Sequence, residues 1–257
     1  MKIYKIIKYV VIIVLALILH FISMNPPKRI YKTNIINTIE SGNLVEDFND
    51  GLNTQFWNTL EQDNNSNDEL QYYSPSNLII EDGILNIEAR KEEFNNHQYT
   101  SALINTKNKF EFLYGKIIFK IKSAVGKGVL SAIWLLPSDN SLYPELDIIE
   151  ILGENNKKVW TGIHYLDIDL KQNKNFNTYI GSDDFDTYEL NWEENEIKCY
   201  LNNNLVYKTN SDIPNKKMYL TINLSVGGIW PKEPDDSIFP TNFLIDYIIV
   251  IPKRTDA

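Results

Sequence analysis

Cysteine is almost absent from this chain of 257 residues, which contains only Cys199. A single cysteine excludes an intrachain disulfide, so the fold cannot depend on that kind of crosslink. Because cysteine packs as a small apolar residue, we expect Cys199 to be a buried strand residue.

Basic residues are also in deficit, with 25 Lys and Arg against 34 Asp and Glu and a net charge of −9. A surface of this sign repels polyanions, so the composition argues against a nucleic-acid partner. It also disfavours a strongly sulfated ligand, unless a local basic patch overrides the net charge.

Long apolar runs are missing except at the N-terminus. Residues 1–24 contain three lysines followed by an apolar run from Tyr9 to Met24. That run is short for a membrane span and lacks an A-x-A cleavage signal, so a cleaved signal peptide and a retained signal anchor both stay open. Residues 25–42, which include Pro26-Pro27, are predicted to be a linker. We therefore expect a secreted or cell-surface protein that contacts a membrane only through an uncleaved anchor.

Residues 43–257 lack a long helical period and internal repeats. They contain short runs of β-branched and aromatic residues separated by turn residues, a pattern that predicts strands. The runs are 78–80, 84–87, 116–121, 196–201 and 218–222. The pairs Asp82-Gly83 and Asn202-Asn203 suit two-residue hairpin turns. We predict one all-β domain, a jelly-roll β-sandwich with a curved sheet that forms an open cleft.

The acidic hexapeptide at 145–150, with sequence ELDIIE, has three carboxylates among apolar residues. On a regular strand Glu145 and Asp147 share one face and Glu150 points to the other, because side chains alternate with period two. A β-bulge within Ile148-Ile149 would restore the phase and bring all three acids to one face. Two glutamates on one face suit glycoside hydrolysis, in which one carboxylate attacks the sugar and the other protonates the leaving oxygen. The alternative is a half-exposed strand with a solvated polar face.

Two neighbouring segments favour a cleft around these acids. Residues 130–137 predict a buried strand that carries Trp134, and residues 160–165 predict another strand that carries His164. Adjacent strands of this kind could line one cleft.

Several strings in this order resemble glycoside hydrolase family 16, specifically its laminarinase-like members, which are endo-β-1,3-glucanases. The resemblance extends from about Leu44 to Pro252. The strings are 46–49, 68–73, 99–102, 110–115, 145–150, 185–188, 224–231 and 246–250.

The resemblance implies a role for each acid of the hexapeptide. Glu145 matches the nucleophile, Glu150 the general acid/base, and Asp147 the residue that orients the nucleophile. Carboxylates this close repel one another, so at least one should keep its proton near neutral pH. The implied activity is retaining endo-hydrolysis of β-1,3-glucan or mixed-linkage β-glucan, with a polysaccharide partner, a monomeric enzyme and no catalytic cofactor.

The same resemblance implies substrate-binding residues and a metal site. The predicted sugar contacts are Asp68, Trp134, His164 and Trp230, whereas Trp57 and Trp192 are predicted to be core. A structural calcium ion, far from the cleft, is implied at Glu46, Gly83 and Asp246, because calcium prefers oxygen ligands.

Departures from the family pattern leave the substrate open. Asp68 stands where relatives often have Asn, and Leu103 replaces an Arg that would offer several donors to a sugar. Pro144 stands where relatives commonly have Gly. A galactan hydrolase of the agarase or carrageenase type, and a glucan-binding module without catalysis, are the alternatives.

Overall fold

A computed structural model describes residues 42–63, 66–167 and 169–254. The predicted leader at 1–24 and almost all of the predicted linker at 25–42 lie outside these ranges. Within them, no helix is long and apolar enough to cross a membrane.

Strands dominate the described residues, joined by tight turns and short 3₁₀ segments. The strands are β1 (Leu44–Glu46), β2 (Asn58–Thr59), β3 (Gln62–Asp63), β4 (Gln71–Tyr73), β5 (Leu78–Glu81), β6 (Ile84–Phe94), β7 (His97–Ser101), β8 (Leu103–Asn105), β9 (Glu111–Phe112), β10 (Gly115–Lys122), β11 (Val129–Pro137), β12 (Glu145–Leu152), β13 (Lys158–Leu166), β14 (Gln172–Ile180), β15 (Asp186–Glu193), β16 (Glu196–Leu201), β17 (Asn204–Thr209), β18 (Met218–Val226) and β19 (Thr241–Pro252). The 3₁₀ segments are Ser66–Asp68, Pro75–Asn77, Gly153–Asn155 and Asp236–Ile238.

Two sheets form the predicted jelly-roll sandwich, which is confirmed. The first has the order β17-β16-β15-β10-β19-β6-β7-β4-β3, with β1 beside β19 and β5 beside β6. The second has the order β14-β13-β12-β11-β18-β8-β2, with β9 beside β18. All strand pairs are antiparallel except β4 with β7. The acidic hexapeptide lies in β12, inside the second sheet.

Alternation of side chains builds the core between the sheets. In β10 the buried residues occupy every second position, among them Ile117, Phe119 and Ile121, and the intervening lysines are partly exposed. Trp57 and Trp192 are buried as predicted, and so is Cys199. Burial of apolar surface at these positions is the main force that holds the sheets together.

Strand β18 is buried along both faces, from Met218 to Val226. One face contributes apolar residues to the core, whereas the other presents Thr221, Asn223 and Ser225. A buried polar row of this kind requires hydrogen-bond partners, and it lies on the face of the sheet that carries the acids.

Both predicted hairpin turns are present. Asp82-Gly83 joins β5 to β6, and Asn202-Asn203 joins β16 to β17. All four residues have positive φ, between 48° and 69°. Asn, Asp and Gly tolerate that conformation better than other residues, which is why these pairs fit tight hairpins.

Candidate active site

Strand β12 contains the predicted bulge, and the structure places its extra residue at Ile148. Along β11, Ile133 pairs with Ile149 and the next residue, Trp134, pairs with Asp147. Ile148 is skipped by β11, and the pairing with β13 shifts over the same stretch. One extra residue on one strand is the definition of a β-bulge.

The bulge brings the three acids to one face. Glu150 pairs with Ala132 of β11, and Asp147 pairs with Trp134 of the same strand. Ala132 and Trp134 are two residues apart, and β11 pairs regularly with β18 over this stretch. Paired residues of an antiparallel ladder share a face, and so do residues two apart. Glu150 and Asp147 therefore project together, and Glu145 lies two residues before Asp147 on the same side.

A side chain from β13 supports the bulged backbone. The Thr161 hydroxyl donates a hydrogen bond of 3.0 Å to the backbone carbonyl of Asp147. Thr161 is fully buried, on the core side of the sheet. The contact supplies a partner for a carbonyl at the point where the regular ladder is interrupted.

Strand β13 brings further functional side chains to this face. His164 pairs with Glu145, and Trp160 pairs with Glu150. His164 Nε2 lies 3.5 Å from Asp147 Oδ2. One ligand-type atom from each of Glu145, Asp147 and His164 lies within 4.8 Å of the others. The histidine therefore lies beside the acids, and its predicted contact with the sugar stays a prediction.

Burial raises the pKa of all three carboxyl groups. It raises the pKa of Glu145 to about 7 and that of Glu150, which also lies near the Glu145 charge, to about 8. The pKa of Asp147 is raised well above its usual range, first by burial and then by the charges of both glutamates. A hydrogen bond between Glu145 and Asp147 lowers the pKa of Glu145 and raises that of Asp147. With the pKa of all three carboxyl groups raised, the site keeps at least one proton near neutral pH.

The surroundings of His164 favour its neutral form. Burial lowers its pKa, and the nearby Lys174 ammonium lowers it further. The ring of Phe176 packs edge-on against it at 5.0 Å between centroids. A neutral ring adds hydrogen-bonding capacity beside Asp147 without adding a positive charge to the acids.

Three tryptophans surround the acids. Trp134 is partly buried, and its Nε1 donates to Asn223 Oδ1 at 2.9 Å. Trp160 and Trp230 meet edge to face, with centroids 5.5 Å apart. The Lys158 ammonium lies 4.2 Å from the centroid of Trp160. Trp134 and Trp160 lie on the two strands that flank β12, and partly exposed aromatic rings beside carboxylates suit the apolar faces of sugars.

The loops that carry Asp68 and Trp230 are joined through their backbones. The Ile229 N–H donates to the Asn67 carbonyl at 2.8 Å. Gly228 has φ of 99°, and a Cβ there would lie only 2.7 Å from the same carbonyl. Only glycine allows this approach. Asp68 itself is exposed. We call the two loops joined by this backbone hydrogen bond the rim.

Comparison with known proteins now identifies the chain's relatives. The sequence model of Glycosyl hydrolases family 16 matches residues 65–248. The chain belongs to glycosyl hydrolases family 16.

Individual relatives agree with the family assignment. The chain is 32% identical over 201 residues to the clotting factor G alpha subunit of Tachypleus tridentatus, a match that covers 72% of this chain and 29% of that protein. It is 31% identical over 224 residues to glucan endo-1,3-beta-glucosidase A1 of Niallia circulans, covering 73% of this chain and 33% of that protein. The chain thus spans about a third of the length of these curated relatives.

A solved laminarinase shares the fold. The crystal structure of laminarinase from Flavobacterium sp. UMI-01 superposes with a TM-score of 0.71 at 34% identity, covering 80% of this chain and 98% of that one. The similarity includes almost the whole of the solved chain, so the two-sheet architecture described above is that of family 16.

One departure from the family pattern lies on the face of the acids. Leu103 pairs with Asn223, which in turn pairs with Ala132 of β11. Leu103 therefore shares the face of Trp134 and is 9% exposed. Leu103 therefore presents an apolar side chain, with no hydrogen-bond donor, on the face that carries the acids.

The residues predicted to hold calcium lie on the other sheet. Glu46 is buried and pairs with Ile248 of β19, two residues from the buried Asp246. Gly83 occupies the β5–β6 turn, against the segment that follows β1. Lys120 Nζ lies 3.3 Å from Asp246 Oδ2. These residues come from neighbouring segments of one sheet, and their binding of calcium stays a prediction.

Two residues of this face were missed by sequence reasoning. Trp160 lies four residues before His164 on the same strand and therefore shares its face. The period-two alternation of strand side chains could have revealed this. Lys174 lies on β14 opposite His164. Nothing in the sequence indicates which strand pairs with β13, so the second could not be found.

Proposed function

We propose that this protein is a retaining endo-glycoside hydrolase that cleaves β-1,3-glucan, or mixed-linkage β-glucan, by double displacement. The observation that carries the proposal is the bulge at Ile148, which puts two glutamates and an aspartate on one face, where burial raises the pKa of all three. A nucleophile that ionises first and an acid that keeps its proton are what retaining glycosidases require. The names of the relatives from Niallia circulans and Flavobacterium support β-1,3-glucan as the substrate.

In the first step the Glu145 carboxylate attacks the anomeric carbon and forms a covalent glycosyl-enzyme. Glu150 gives its proton to the departing glycosidic oxygen as the C–O bond breaks. Asp147 donates a hydrogen bond to Glu145, which keeps the carboxylate oriented. Glu150, now ionised, then removes a proton from water, and the resulting attack releases the sugar with its original configuration. No cofactor takes part.

Trp134 on one side of the acids, and the Trp160–Trp230 pair on the other, provide stacking surfaces for glucose rings. Asp68 and His164 provide polar contacts to hydroxyl groups. Because the apolar Leu103 replaces a multi-donor group, we expect weaker sugar binding on its side of the cleft than in relatives with Arg.

A galactan hydrolase is the second candidate. Lys158 and Lys174 both lie on the cleft face, where they would attract anionic substituents despite the negative net charge. A keratan-sulfate endo-1,4-beta-galactosidase of Sphingobacterium multivorum is among the relatives, at 25% identity over 176 residues.

One experiment separates these candidates. The full chain is incubated with laminarin, lichenan, agarose and carrageenan, and reducing ends and product sizes are measured. We expect short oligosaccharides from laminarin or lichenan, and the β-anomer as first product in an NMR time course. Activity on galactans alone would replace the substrate assignment, and initial release of the α-anomer would refute the retaining mechanism. The Glu145→Gln variant is the inactive control.

We also propose that Glu46, Gly83 and Asp246 hold a structural calcium ion. Carboxylate and carbonyl oxygens suit this ion, and Lys120 would compete with it for the Asp246 carboxylate. The expected result is a fall in melting temperature on adding a chelator, abolished by Asp246→Asn. An unchanged melting temperature in the wild type would exclude the site.

For the N-terminal residues we propose export, with residues 1–24 either removed or kept as an anchor, and a monomeric enzyme. The mass of the mature protein recovered from the producing cells decides between removal and retention. Sedimentation velocity gives the oligomeric state.

A further inference from the structure

We propose that Glu69 and Tyr73 are positioning residues that hold the Trp134 indole in place through Asn223. The inference rests on the proposed role of Trp134 as a sugar-stacking surface. It assigns an effect on substrate binding to the buried Tyr73 and the partly buried Glu69, although neither residue is among the predicted sugar contacts.

The four side chains form a directional series of hydrogen bonds. Trp134 Nε1 donates to Asn223 Oδ1 at 2.9 Å, and Asn223 Nδ2 donates to the Tyr73 hydroxyl at 3.1 Å. The Tyr73 hydroxyl donates to Glu69 Oε2 at 3.4 Å. An indole N–H only donates and a carboxylate only accepts, so the series runs from Trp134 towards Glu69. Ser225 Oγ lies 3.5 Å from the same Tyr73 hydroxyl as a second partner.

Burial makes this series costly to break. Tyr73 is 1% exposed and Asn223 is 5% exposed. Burial raises the pKa of Tyr73, so its hydroxyl stays protonated and can donate a hydrogen bond. The second N–H of the Asn223 amide donates to Ser225 Oγ at 2.9 Å, so the amide cannot flip without losing partners. If the Trp134 ring turned, the Asn223 carbonyl would be left buried and unpaired.

Glu69 is itself fixed between two parts of the rim. Its Oε2 accepts from Gln71 Nε2 at 2.7 Å, and Gln71 Oε1 accepts from the Val226 N–H at 2.7 Å. The Glu69 backbone also pairs with Gly227, at the start of the loop that leads to Trp230. The series therefore links the rim of the cleft to Trp134, which pairs with Asp147 beside the nucleophile.

A residue that acts only by orienting Trp134 should alter substrate binding and leave the chemical step intact. Tyr73→Phe removes one hydroxyl and keeps the ring. Loss of one hydrogen bond that orients a binding group corresponds to a change of about 2-fold to 10-fold in affinity. We expect KM for laminari-oligosaccharides to rise by about that factor while kcat stays within about twofold.

A double-mutant cycle on the full chain tests this directly. Trp134→Phe keeps an aromatic face but removes the indole N–H. In that background Tyr73→Phe, or Glu69→Ala if Tyr73→Phe folds poorly, should produce no further rise in KM, because the group that they position is gone. Tyr188→Phe removes a buried hydroxyl from β15, outside this series of hydrogen bonds, and is the control for a general loss of stability.

A second readout does not depend on catalysis. The Trp134 indole N–H signal, assigned by its disappearance in Trp134→Phe, should shift in the ¹⁵N spectrum of Tyr73→Phe and Glu69→Ala but not in that of Tyr188→Phe. An unshifted signal, or KM effects that add in the double mutant, would overturn the positioning role. If Trp134→Ala leaves KM unchanged, the sugar-stacking role in the proposed function fails instead, whatever the indole signal does.

Discussion

The Glu150→Gln variant gives the sharpest test of the division of labour between the two glutamates. The amide keeps the size of the side chain but has no proton to give to the leaving oxygen. General-acid catalysis contributes about 10² to 10⁴-fold, so turnover of laminarin should fall by roughly that factor. An aryl laminarioside with a good leaving group needs little protonation and should retain much more of its rate.

The pH profile of kcat/KM makes the same prediction quantitative. In the wild type, activity should rise as Glu145 ionises around pH 7 and fall as Glu150 loses its proton around pH 8, which gives a narrow bell. In Glu150→Gln the alkaline limb should disappear. The acid limb should stay near 7, because burial and the bond to Asp147 are what set the pKa of Glu145.

The assay follows initial rates on the aryl substrate between pH 5 and pH 10, at about unit intervals of pH or finer. Glu189→Gln, on the other sheet and paired with Lys116, is the matched control and should keep both limbs. A folded Glu150→Gln enzyme that retained the alkaline limb, or that hydrolysed laminarin at nearly the wild-type rate, would refute the assignment of Glu150 as the acid.

Three further predictions concern the surroundings of the acids. Lys174→Met should move the alkaline limb upward, because the ammonium lowers the pKa of Glu150; an unmoved limb in the kcat/KM profile would contradict this. Glu150→Gln should also unfold at a higher temperature than the wild type in alkaline buffer. The pKa of Glu150 is about 8 in the folded protein and 4.5 in the unfolded chain. The group therefore contributes its full stabilisation below pH 4.5, and that contribution is lost as the pH rises through about 8. Melting curves at pH 5 and pH 9 check the sign. Deletion of Ile148 should leave a regular strand with E-x-D-x-E spacing and measurable laminarin hydrolysis, whereas a folded but fully inactive deletion would show that co-facial acids are not sufficient.

The bulge shows how far sequence reasoning reaches at this site. The spacing of Glu145, Asp147 and Glu150 is out of phase with a strand, so acids on one face require a looped-out residue, whereas a half-exposed strand without a bulge stayed the alternative. Either isoleucine satisfied that requirement equally well. The choice of Ile148 depends on the pairing of Ile133 with Ile149, which is a property of two strands rather than of one.

The contacts that reach across the sheet could not be predicted. Tyr73 and Asn223 are 150 positions apart in the chain, and their contact joins β4 of the first sheet to β18 of the second. The contact of Trp160 with Trp230 likewise depends on how the loop after β18 places Trp230 against β13. Local turn chemistry, by contrast, was sufficient for Asp82-Gly83 and Asn202-Asn203, because those residues determine the conformation of their own backbone.

The bulge at Ile148 also has a consequence for how the sheet assembles. A strand with regular alternation can slide by two residues along its neighbour and still present its apolar side to the core. Strand β12 cannot, because both neighbouring strands are shifted at the same irregular point, and Thr161 meets the Asp147 carbonyl only in one alignment. A slipped pairing would leave a kinked strand against a straight one. The residue that gathers the acids therefore also selects the correct partner positions during folding, and changes at Ile148 should be visible in refolding yield as well as in activity.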